Sequence, residues 1–275
     1  MIAVHLRGGL GNQMFQYALY LAFKAAGKKA GIDISHYKNS TNTSYELQRI
    51  FGVQAPIVGP AKKIFLKAGW QALRPFYKLP FAETDDMFGR YNNKILRLNF
   101  AYLKGYWQCE QYFLQIAGAV RQCYNFPEFQ DEANINILNS ISNCNAVSLH
   151  VRRGDYLKDG RNDALDAAYY NRAVEYFETK LHKPVFYIFS DDAAWAATNI
   201  KATHAHYINW NTGAASYQDM QLMSRCKHHI IANSSFSWWG AWLNTNPEKI
   251  VVAPAQWLHW MDSTRDIIPA AWVTL

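Results

Sequence analysis

Short apolar segments alternate with helical patterns through the second half of this 275-residue chain. The apolar segments occupy residues 146–151, 185–189, 204–208, 229–232 and 250–253, and the helical patterns occupy residues 164–181, 216–226 and 237–243. A short apolar run bounded by turn residues is typical of a buried strand. When such strands alternate with helices, the crossovers are right-handed and the sheet is parallel.

The beginning of the chain predicts a second unit of the same kind. Residues 2–6 indicate a strand, the glycine-rich run at residues 8–11 a tight turn, and residues 28–34 another strand. Asn12 is expected to cap a helix that Gly27 ends. The pattern over residues 45–140 is irregular and mostly helical, so its order stays open. The predicted fold class is α/β, with two Rossmann-like parallel-sheet domains facing a cleft.

The domain boundaries follow from these patterns. The first domain, with a helical insertion, is expected over residues 1–143, and the second over residues 144–255. The final segment, residues 256–275, contains Trp257, Trp260 and Trp272. We expect this segment to pack back on the first domain.

Two adjacent arginines follow the first strand of the second domain. Arg152 and Arg153 lie at the carboxyl end of that strand, which is where open α/β sheets bind ligands. A guanidinium group offers planar, bidentate donors that suit phosphate oxygens. The alternative is a surface pair of arginines that forms an ion pair with Asp155.

A second candidate anion site follows the segment 229–232. The run NSSFS at residues 233–237 comes after this strand and opens a helix. Free N–H groups and hydroxyls at a helix N-terminus can bind an anion without a glycine loop. The alternative is an ordinary helix N-cap.

These segments resemble the motifs of a known family. HVRRGDY at residues 150–156 resembles the arginine motif shared by α-1,2-, α-1,6- and protein-O-fucosyltransferases. The other motifs resemble those of the α-1,2-fucosyltransferases of glycosyltransferase family 11, and they are GGLGNQMFQYA at 8–18, GYWQ at 105–108 with Tyr112 and Phe113, SDD at 190–192 and NSSFSWWGAWL at 233–243. They stand in the order expected for that family.

The resemblance implies an activity and its partners. It implies a GT-B fold and inverting transfer of L-fucose from GDP-β-L-fucose to the 2-hydroxyl of a terminal galactoside, which gives an α-1,2 linkage. A lipid-linked precursor of a surface glycan or O-antigen would be one such acceptor. Two alternatives stay open: a fucosyltransferase of another linkage, such as α-1,6 or α-1,3, and a non-catalytic protein that binds a GDP-sugar or a glycan.

The resemblance also assigns residues of the second domain to the donor. Ser234 and Ser235 are expected to meet the nucleotide phosphates, and Arg153 is assigned to the same site. Asp219 and His150 are expected to meet the guanine base. A carboxylate suits guanine because it accepts hydrogen bonds from both N1–H and N2–H.

In the first domain, the resemblance assigns the glycine-rich turn to the cleft near the transferred sugar. Asn12 is expected to orient substrate near the reaction centre. Gly9 and Gly11 are expected to let the donor approach the backbone closely.

No metal and no cofactor are expected. The negative charge on a departing diphosphate can be stabilised by a metal or by fixed cationic and N–H donors. The chain has no Asp-x-Asp motif, and neither Asp85-Asp86 nor Asp191-Asp192 is flanked by histidines at ligand spacing. Arg152 is therefore expected to hold the diphosphate.

The base that accepts the proton of the acceptor hydroxyl stays open. Asp155 is assigned to the catalytic centre, but the neighbouring arginines lower its pKa and make it a poorer base. Asp155 is therefore expected to orient Arg152 or Arg153. Asp159 and Asp163 follow in a polar loop and are the other candidates.

The net charge of +7 is concentrated between residues 60 and 104, where nine basic residues stand against three acidic ones. Aromatic residues such as Phe65, Trp70 and Phe76 are interleaved with the lysines. Such a stretch could lie on an anionic membrane surface, or it could be a partly buried helix with a solvated basic face. Nucleic-acid binding is not expected, because no recognised motif accompanies the charge.

The sequence also predicts a location. It contains no recognisable secretory leader and no run of about 18 apolar residues. A cytoplasmic protein is therefore expected, with peripheral contact at the inner membrane as an option.

Overall fold

The computed structural model describes residues 1–38, 40, 43–77, 88–158, 164–261 and 264–275, without the side chains of Tyr77, Asp155, Lys158 and Arg265. It divides into two compact units. The first unit contains Met1–Pro127 and Arg265–Pro269, and the second contains Glu128–Thr264 and Ala270–Leu275. Each unit is built on a parallel sheet, so the predicted α/β class is confirmed. None of the described helices is long and apolar enough to span a membrane.

The first unit has a three-stranded sheet. Its strands are β1 (Ile2–His5), β2 (Ala30–Asp33) and β3 (Ala101–Lys104), and its helices are α1 (Leu10–Ala25), α2 (Leu47–Phe51), α3 (Pro60–Leu73), α4 (Lys94–Arg97) and α5 (Ala117–Cys123). The strand order is β2-β1-β3. The register pairs His5 with both Asp33 and Lys104, so all three carboxyl ends lie at one edge. Strand β3 falls in the segment whose order the sequence pattern left open.

Helix α1 begins one turn earlier than its sequence pattern suggested. Gly9 is the N-cap residue, with extended backbone, and no side chain caps the helix. Asn12 therefore lies within the first turn, and the prediction that it caps the helix is wrong. Gly27 adopts a φ of 71° just beyond the end of the helix, as its role as a helix stop predicts. The buried side chains recur at i, i+4 spacing and include Leu10, Met14, Ala18, Phe15, Leu19 and Phe23.

The second unit has a six-stranded sheet. Its strands are β4 (Asn145–Val151), β5 (Pro184–Ser190), β6 (Ala205–Ile208), β7 (His228–Ile230), β8 (Val251–Ala253) and β9 (Val273–Thr274). Its helices are α6 (Glu132–Ser142), α7 (Gly154–Lys158), α8 (Ala167–Lys180), α9 (Ala193–Asn199), α10 (Tyr217–Arg225) and α11 (Ser235–Leu243). The five strands and three helices predicted here are confirmed, with small shifts at their ends.

The strand order of the second sheet is β6-β5-β4-β7-β8-β9, and all pairs are parallel. From β4 the chain proceeds outward through β5 to β6, and it then returns to β7 on the other side of β4. In open α/β sheets, ligands bind beyond the carboxyl ends of the strands where the order reverses in this way. Arg152 follows β4 and Asn233 follows β7, so the reversal lies between them.

Helices cover both faces of the second sheet. On one face, the core includes Tyr170, Phe177 and Ala196 of α8 and α9. On the other face, the core includes Ile141, Leu222 and Met223 of α6 and α10, with Phe236 of α11 packed against it. A Cβ atom added at Gly240 of α11 would lie 2.9 Å from the Cβ of Met223, so α10 and α11 are in close contact.

The boundary between the units lies at residue 127 and not at residue 143. Helix α6 packs on the second sheet, where Ile141 joins the core and the Ser140 Oγ lies 2.6 Å from the hydroxyl of Tyr187. The sequence pattern did not reveal this, because a helix that precedes the first strand of a sheet is not part of a crossover.

The last segment is divided between the two units. Strand β9 extends the second sheet beyond β8, and Trp272 packs on Trp238 with 5.5 Å between ring centroids. Only Arg265–Pro269 belongs to the first unit. There Asp266 accepts a hydrogen bond from the backbone N–H of Tyr91 at 2.7 Å. The expectation that the whole of residues 256–275 packs on the first domain therefore holds only for this short piece.

Candidate functional site

Two ion pairs join the carboxyl ends of β4 and β5. The parallel register of the two strands places the residues that follow them side by side. Arg152 Nη1 lies 3.1 Å from Asp191 Oδ2, and Arg153 Nε lies 3.3 Å from Asp192 Oδ2. The backbone N–H of Arg153 also donates to Asp191 Oδ1 at 2.9 Å. Asp191 therefore holds both the side chain of Arg152 and the backbone that follows it.

The two arginines differ in exposure. The side chain of Arg152 is 36% exposed, whereas that of Arg153 is 16% exposed. The Arg153 guanidinium lies 3.9 Å from the ring centroid of Trp195, and it is thus fixed between an aromatic face and a carboxylate. These contacts fix the position of the Arg153 guanidinium. Its contact with a donor stays a prediction. Arg152 is the more accessible of the two to a ligand.

Helix α11 begins after β7 at the same edge of the sheet. Ser234 is its N-cap, and its Oγ accepts a hydrogen bond from the backbone N–H of Phe236 at 3.3 Å. Ser234 thus makes the ordinary cap considered as the alternative, and phosphate binding by Ser234 and the partly exposed Ser235 stays a prediction. The hydroxyl of Tyr156 donates to the carbonyl of Asn233 at 3.0 Å, which ties the arginine loop to this helix start. The edge therefore combines guanidinium groups with the positive end of a helix.

His150 is buried near the end of β4, beside α11. Its ring centroid lies 5.7 Å from that of Phe236. Burial, together with the charge of Arg152, lowers the pKa of His150 to about 3, so the ring is neutral near pH 7. Its Nδ1 atom is buried and has no hydrogen-bond partner among the described residues. A neutral ring of this kind can exchange a hydrogen bond with an uncharged group, and its contact with guanine stays a prediction.

Asp219 lies in the first turn of α10 within a network of amides. Asn211 Nδ2 donates to Asp219 Oδ1 at 2.8 Å, and Asn211 also exchanges two hydrogen bonds with Asn134 at 2.8 and 3.0 Å. Burial raises the pKa of Asp219 to about 7, against the opposing effect of the Asn211 hydrogen bond. The group is therefore divided between acid and carboxylate near neutral pH. Sequence reasoning selected Asp219 but missed both amides.

In the first unit, amide side chains connect two of the sequence motifs. Gln108 Nε2 donates to Asn12 Oδ1 at 2.7 Å, and Gln16 Nε2 donates to the carbonyl of Gly105 at 3.0 Å. Gln16 Oε1 accepts a hydrogen bond from the backbone N–H of Arg7 at 2.9 Å. The turn after β1, the start of α1 and the loop after β3 are thus held together. Sequence reasoning selected Asn12 but not the two glutamines that connect it to this framework.

Gly8 is the glycine that the turn requires, although it was not among the predicted site residues. Its φ is 80°, and a Cβ atom there would lie 2.7 Å from Asn12 Nδ2. Gly9 has a φ of −72°, and a Cβ atom there would meet none of the described atoms within 4 Å. Gly11 is buried in the first turn of α1. The roles of Gly9 and Gly11 in donor approach stay predictions.

A buried carboxylate at the same edge was missed by sequence reasoning. Asp33 Oδ2 accepts a hydrogen bond from the Tyr102 hydroxyl at 2.6 Å and lies 3.5 Å from Lys63 Nζ, while Asp33 Oδ1 accepts from the backbone N–H of Ser35 at 2.9 Å. Burial opposes ionisation of Asp33, but these hydrogen bonds and the charge of Lys63 bring its pKa below the ordinary value. Asp33 is thus an ionised anchor that connects β2, β3 and α3.

Three predicted carboxylates lie outside the described residues, namely the side chain of Asp155 and the whole of Asp159 and Asp163. The roles given to them stay predictions. In the part of the chain that the structure describes, no three His, Cys, Asp or Glu residues stand together as candidate ligands of a metal ion.

The family model described as Glycosyl transferase family 11 matches residues 1–275. The chain is 31% identical to an α-1,2-colitosyltransferase of Escherichia coli over 294 residues, which cover 100% of this chain and 99% of that protein. It is 31% identical to the O-antigen biosynthesis glycosyltransferase WbnK of Escherichia coli, with 98% and 99% covered. It is 27% identical to the galactoside 2-α-L-fucosyltransferase SEC1 of Bos taurus, with 88% of this chain and 64% of that protein covered.

Solved structures with a similar fold include the NodZ α-1,6-fucosyltransferase soaked with GDP-fucose. The TM-score is 0.50 at 13% sequence identity, and the match covers 88% of this chain and 91% of that one. A further NodZ structure, from Bradyrhizobium, has a TM-score of 0.48 at 14% identity, with 87% and 91% covered. At this identity the first likeness concerns the fold alone.

Proposed function

This chain belongs to glycosyltransferase family 11, and we propose that it transfers L-fucose from GDP-β-L-fucose to the 2-hydroxyl of a terminal galactoside. Transfer would invert the anomeric carbon, would give an α-1,2 linkage and would require no metal ion. Two relatives support a galactoside acceptor and a role in the synthesis of a surface glycan, since one is named a galactoside 2-α-L-fucosyltransferase and another an O-antigen biosynthesis glycosyltransferase. The product would thus be part of a surface glycan.

One observation carries the proposal: Asp191 orients the accessible Arg152 where the strand order of the second sheet reverses, close to the N-terminus of α11. During transfer, the bond from the anomeric carbon to the diphosphate oxygen breaks, and negative charge develops on the departing GDP. Arg152 would donate to that diphosphate through two parallel N–H groups. The N–H groups of the first turn of α11 would add partial positive charge. Fixed donors of this kind can stabilise a departing anion, and the proposal of metal independence rests on them.

The guanine base would be selected by Asp219 and His150. As a carboxylate, Asp219 accepts hydrogen bonds from N1–H and N2–H, a pair of donors that adenine does not present. Its Oδ1 is already held by Asn211, which fixes the plane of the group. His150, which is neutral near pH 7, would supply a further hydrogen bond without adding charge.

In the first unit, Asn12 would orient a hydroxyl of the transferred sugar. Its Oδ1 accepts from Gln108, which leaves the amide in a defined orientation. The acceptor hydroxyl has to lose a proton as it attacks the anomeric carbon, and a carboxylate is the usual base. Asp155, Asp159 and Asp163 stay the proposed candidates for that role, with Asp155 assigned to the catalytic centre beside Arg152.

A second donor is favoured by one specific relative. The α-1,2-colitosyltransferase matches the full length of this chain at 31% identity. Colitose differs from L-fucose by the absence of the 3-hydroxyl group, so the same diphosphate and guanine contacts would serve either donor. The choice depends on whether a protein group hydrogen-bonds the 3-hydroxyl, because an unpaired buried polar group discriminates strongly against the deoxy sugar.

The experiment that tests the proposal uses purified protein, GDP-fucose, lactose and EDTA, and it measures GDP release together with product mass and linkage. We expect fucosylated lactose with an α-1,2 linkage, formed at an undiminished rate in EDTA. An α-1,3 or α-1,6 product would overturn the linkage, and activity that EDTA abolishes and Mg²⁺ or Mn²⁺ restores would overturn metal independence.

A GDP-binding titration distinguishes the remaining outcomes. If the protein binds GDP and turns over neither GDP-fucose nor the colitose donor with any galactoside offered, it is a non-catalytic GDP-sugar-binding protein and the proposal fails. If it turns over the colitose donor at least as fast as GDP-fucose, the second donor replaces the first.

A further inference from the structure

Helix α3 of the first unit presents an apolar face to solvent. Its inward face contributes the buried residues Leu66 and Trp70, together with Lys63, which pairs with Asp33. Its outward residues recur at helical spacing and are all exposed, and they are Ala61, Ile64, Phe65, Ala68 and Ala72. A surface helix normally turns polar and charged residues toward water. A helix that is apolar on both faces therefore indicates a partner on its outer side.

The exposed apolar surface is large and includes aromatic side chains. Ile64 and Phe65 are each 68% exposed, and Phe76, in the turn that follows the helix, is 84% exposed. Single exposed apolar residues are common, but a stretch of them on one element marks an interaction site. We call the residues Ala61, Ile64, Phe65, Ala68, Ala72 and Phe76 the α3 surface.

The charges beside the α3 surface identify the chemistry of the partner. Residues 57–77 contain four basic residues and no acidic residue. Lys62 and Lys67 are both exposed, and Lys67 Nζ lies 4.8 Å from the ring centroid of Tyr102. Two copies of this face would repel each other in a symmetric dimer. An anionic surface would be attracted to it.

We propose that the α3 surface lies on an anionic membrane. Ile64, Phe65 and Phe76 would enter the headgroup region, while Lys62 and Lys67 would extend their stems along the apolar face and bind lipid phosphates. This arrangement does not depend on the donor or the linkage of the proposed reaction. It would hold the protein against the surface on which a lipid-linked acceptor is displayed.

Flotation of the full chain with vesicles tests the proposal. Vesicles of phosphatidylcholine alone are compared with vesicles that also contain phosphatidylglycerol. We expect the wild-type protein to float with the anionic vesicles and to stay in the dense fraction with the neutral ones. The double variants I64S/F65S and K62Q/K67Q are each expected to lower the apparent partition coefficient about tenfold or more.

Control variants make substitutions of the same kind elsewhere in the first unit. Leu114→Ser removes an apolar side chain that is 51% exposed in the same unit, and K24Q/K29Q removes two exposed lysines. Both controls should partition as the wild type does. GDP affinity and melting temperature are measured for every variant, so that a change in membrane binding can be separated from misfolding.

Three results would overturn the proposal. The first is a wild-type protein that floats with neither kind of vesicle. The second is a loss in the control variants equal to that in the α3 variants, which would mean unspecific binding. The third is a wild-type dimer that I64S/F65S dissociates in analytical ultracentrifugation, which would assign the surface to a second copy of the chain.

Discussion

The carboxyl edges of the two sheets are built from different chemistry. In the second unit, two arginines and two aspartates form ion pairs across β4 and β5. In the first unit, the ionised Asp33 is buried and held by Tyr102 and Lys63. The groups that connect the strand ends to the start of α1 are neutral amides instead: Gln108 donates to Asn12, and Gln16 donates to the carbonyl of Gly105. We call the carboxyl edge of the second sheet the charged edge and that of the first sheet the amide edge. The charged edge is suited to a ligand that gains charge, and the amides of the first unit are suited to neutral hydroxyl groups.

This difference predicts that substitutions at the two edges lower activity by different amounts. Hydrogen bonds that involve a charged group contribute roughly 1.5–3 kcal/mol, whereas neutral ones contribute about 0.5–1.5 kcal/mol. Substitutions at the charged edge should therefore lower activity more than substitutions at the amide edge, and they should do so through the departure of GDP.

The largest effect is expected for Arg152→Ala. Loss of the donor to the developing diphosphate charge should lower kcat by about 10²–10³-fold, and Arg152→Lys should restore only part of it, because an ammonium group lacks the planar fork. Initial rates of GDP release at saturating GDP-fucose measure this. Arg97→Ala, at another exposed arginine, should change the rate by less than about twofold. A turnover of Arg152→Ala within about threefold of the wild type would remove Arg152 from its proposed role.

The second effect is a pH dependence that belongs to Asp219. Its pKa is raised to about 7 by burial, so below that pH the free protein holds it mostly as the neutral acid. Guanine needs the carboxylate, so binding at low pH must release a proton, and affinity rises with pH until the group is ionised. From about pH 6 to about pH 8, GDP affinity should increase about tenfold through this group.

Asp219→Asn is the control for that pH profile. It should bind GDP weakly and lose the increase attributed to Asp219, and any slope that remains reports titration of the GDP phosphate. His150 does not contribute, because its pKa of about 3 lies well below the range. Isothermal titration calorimetry in two buffers of different ionisation enthalpy measures both the affinity and the proton released. An equal pH slope in the wild type and in Asp219→Asn would contradict the assignment.

A smaller effect is expected for Asp191→Asn, since Asp191 acts through Arg152. Asparagine can still accept from the backbone N–H of Arg153 but no longer attracts the guanidinium of Arg152. The ion pair is partly exposed, so kcat should fall only about fivefold, while GDP affinity is not reduced because Arg152 loses a competing partner. Single-turnover rates and GDP titrations separate the two quantities. Parallel losses of kcat, GDP affinity and melting temperature would indicate a merely structural role.

Much of the second unit could be predicted from its sequence, because strands buried on both faces form apolar runs that helices separate. Strand β3 and strand β9 could not, since each is short and is defined by a partner that is distant in sequence. The assignment of helix α6 to the second unit could not be predicted either, because α6 precedes the first strand of that sheet and is not part of a crossover. Local patterns identify elements, but pairing between distant segments decides where the edges of a sheet lie.

The candidate site also combines residues that local sequence features identify with contacts that only the fold reveals. Arg152 could be selected because its chemistry and its place after a strand are both local features. Its partner Asp191 was considered as part of the SDD motif at 190–192 and as one of a pair of acids that could bind a metal, but not as a partner of Arg152, although the register Val151 to Ser190 makes the next residues neighbours. The register is a property of the sheet, so the ion pairs became visible only with the structure. Likewise, Asn12 was predicted to cap helix α1 because it follows the glycine-rich turn, and asparagine is a common cap residue. Its hydrogen bond with Gln108 joins two distant motifs and became visible only with the structure.

The smallest effect is expected at the amide edge, for Asn12→Ala. The Oδ1 atom of Asn12 accepts from Gln108 Nε2 at 2.7 Å, and its amide group is proposed to meet a sugar hydroxyl, so the substitution removes neutral hydrogen bonds only. Turnover should fall about two- to threefold, at the lower end of the range for neutral hydrogen bonds, with GDP affinity and its salt dependence unchanged, since no charge near the diphosphate is altered. Gln108→Ala, which removes only the group that holds Asn12, should cause part of the same loss. If Asn12→Ala lowered turnover as much as Arg152→Ala, the prediction that the charged edge contributes more to catalysis than the amide edge would be wrong.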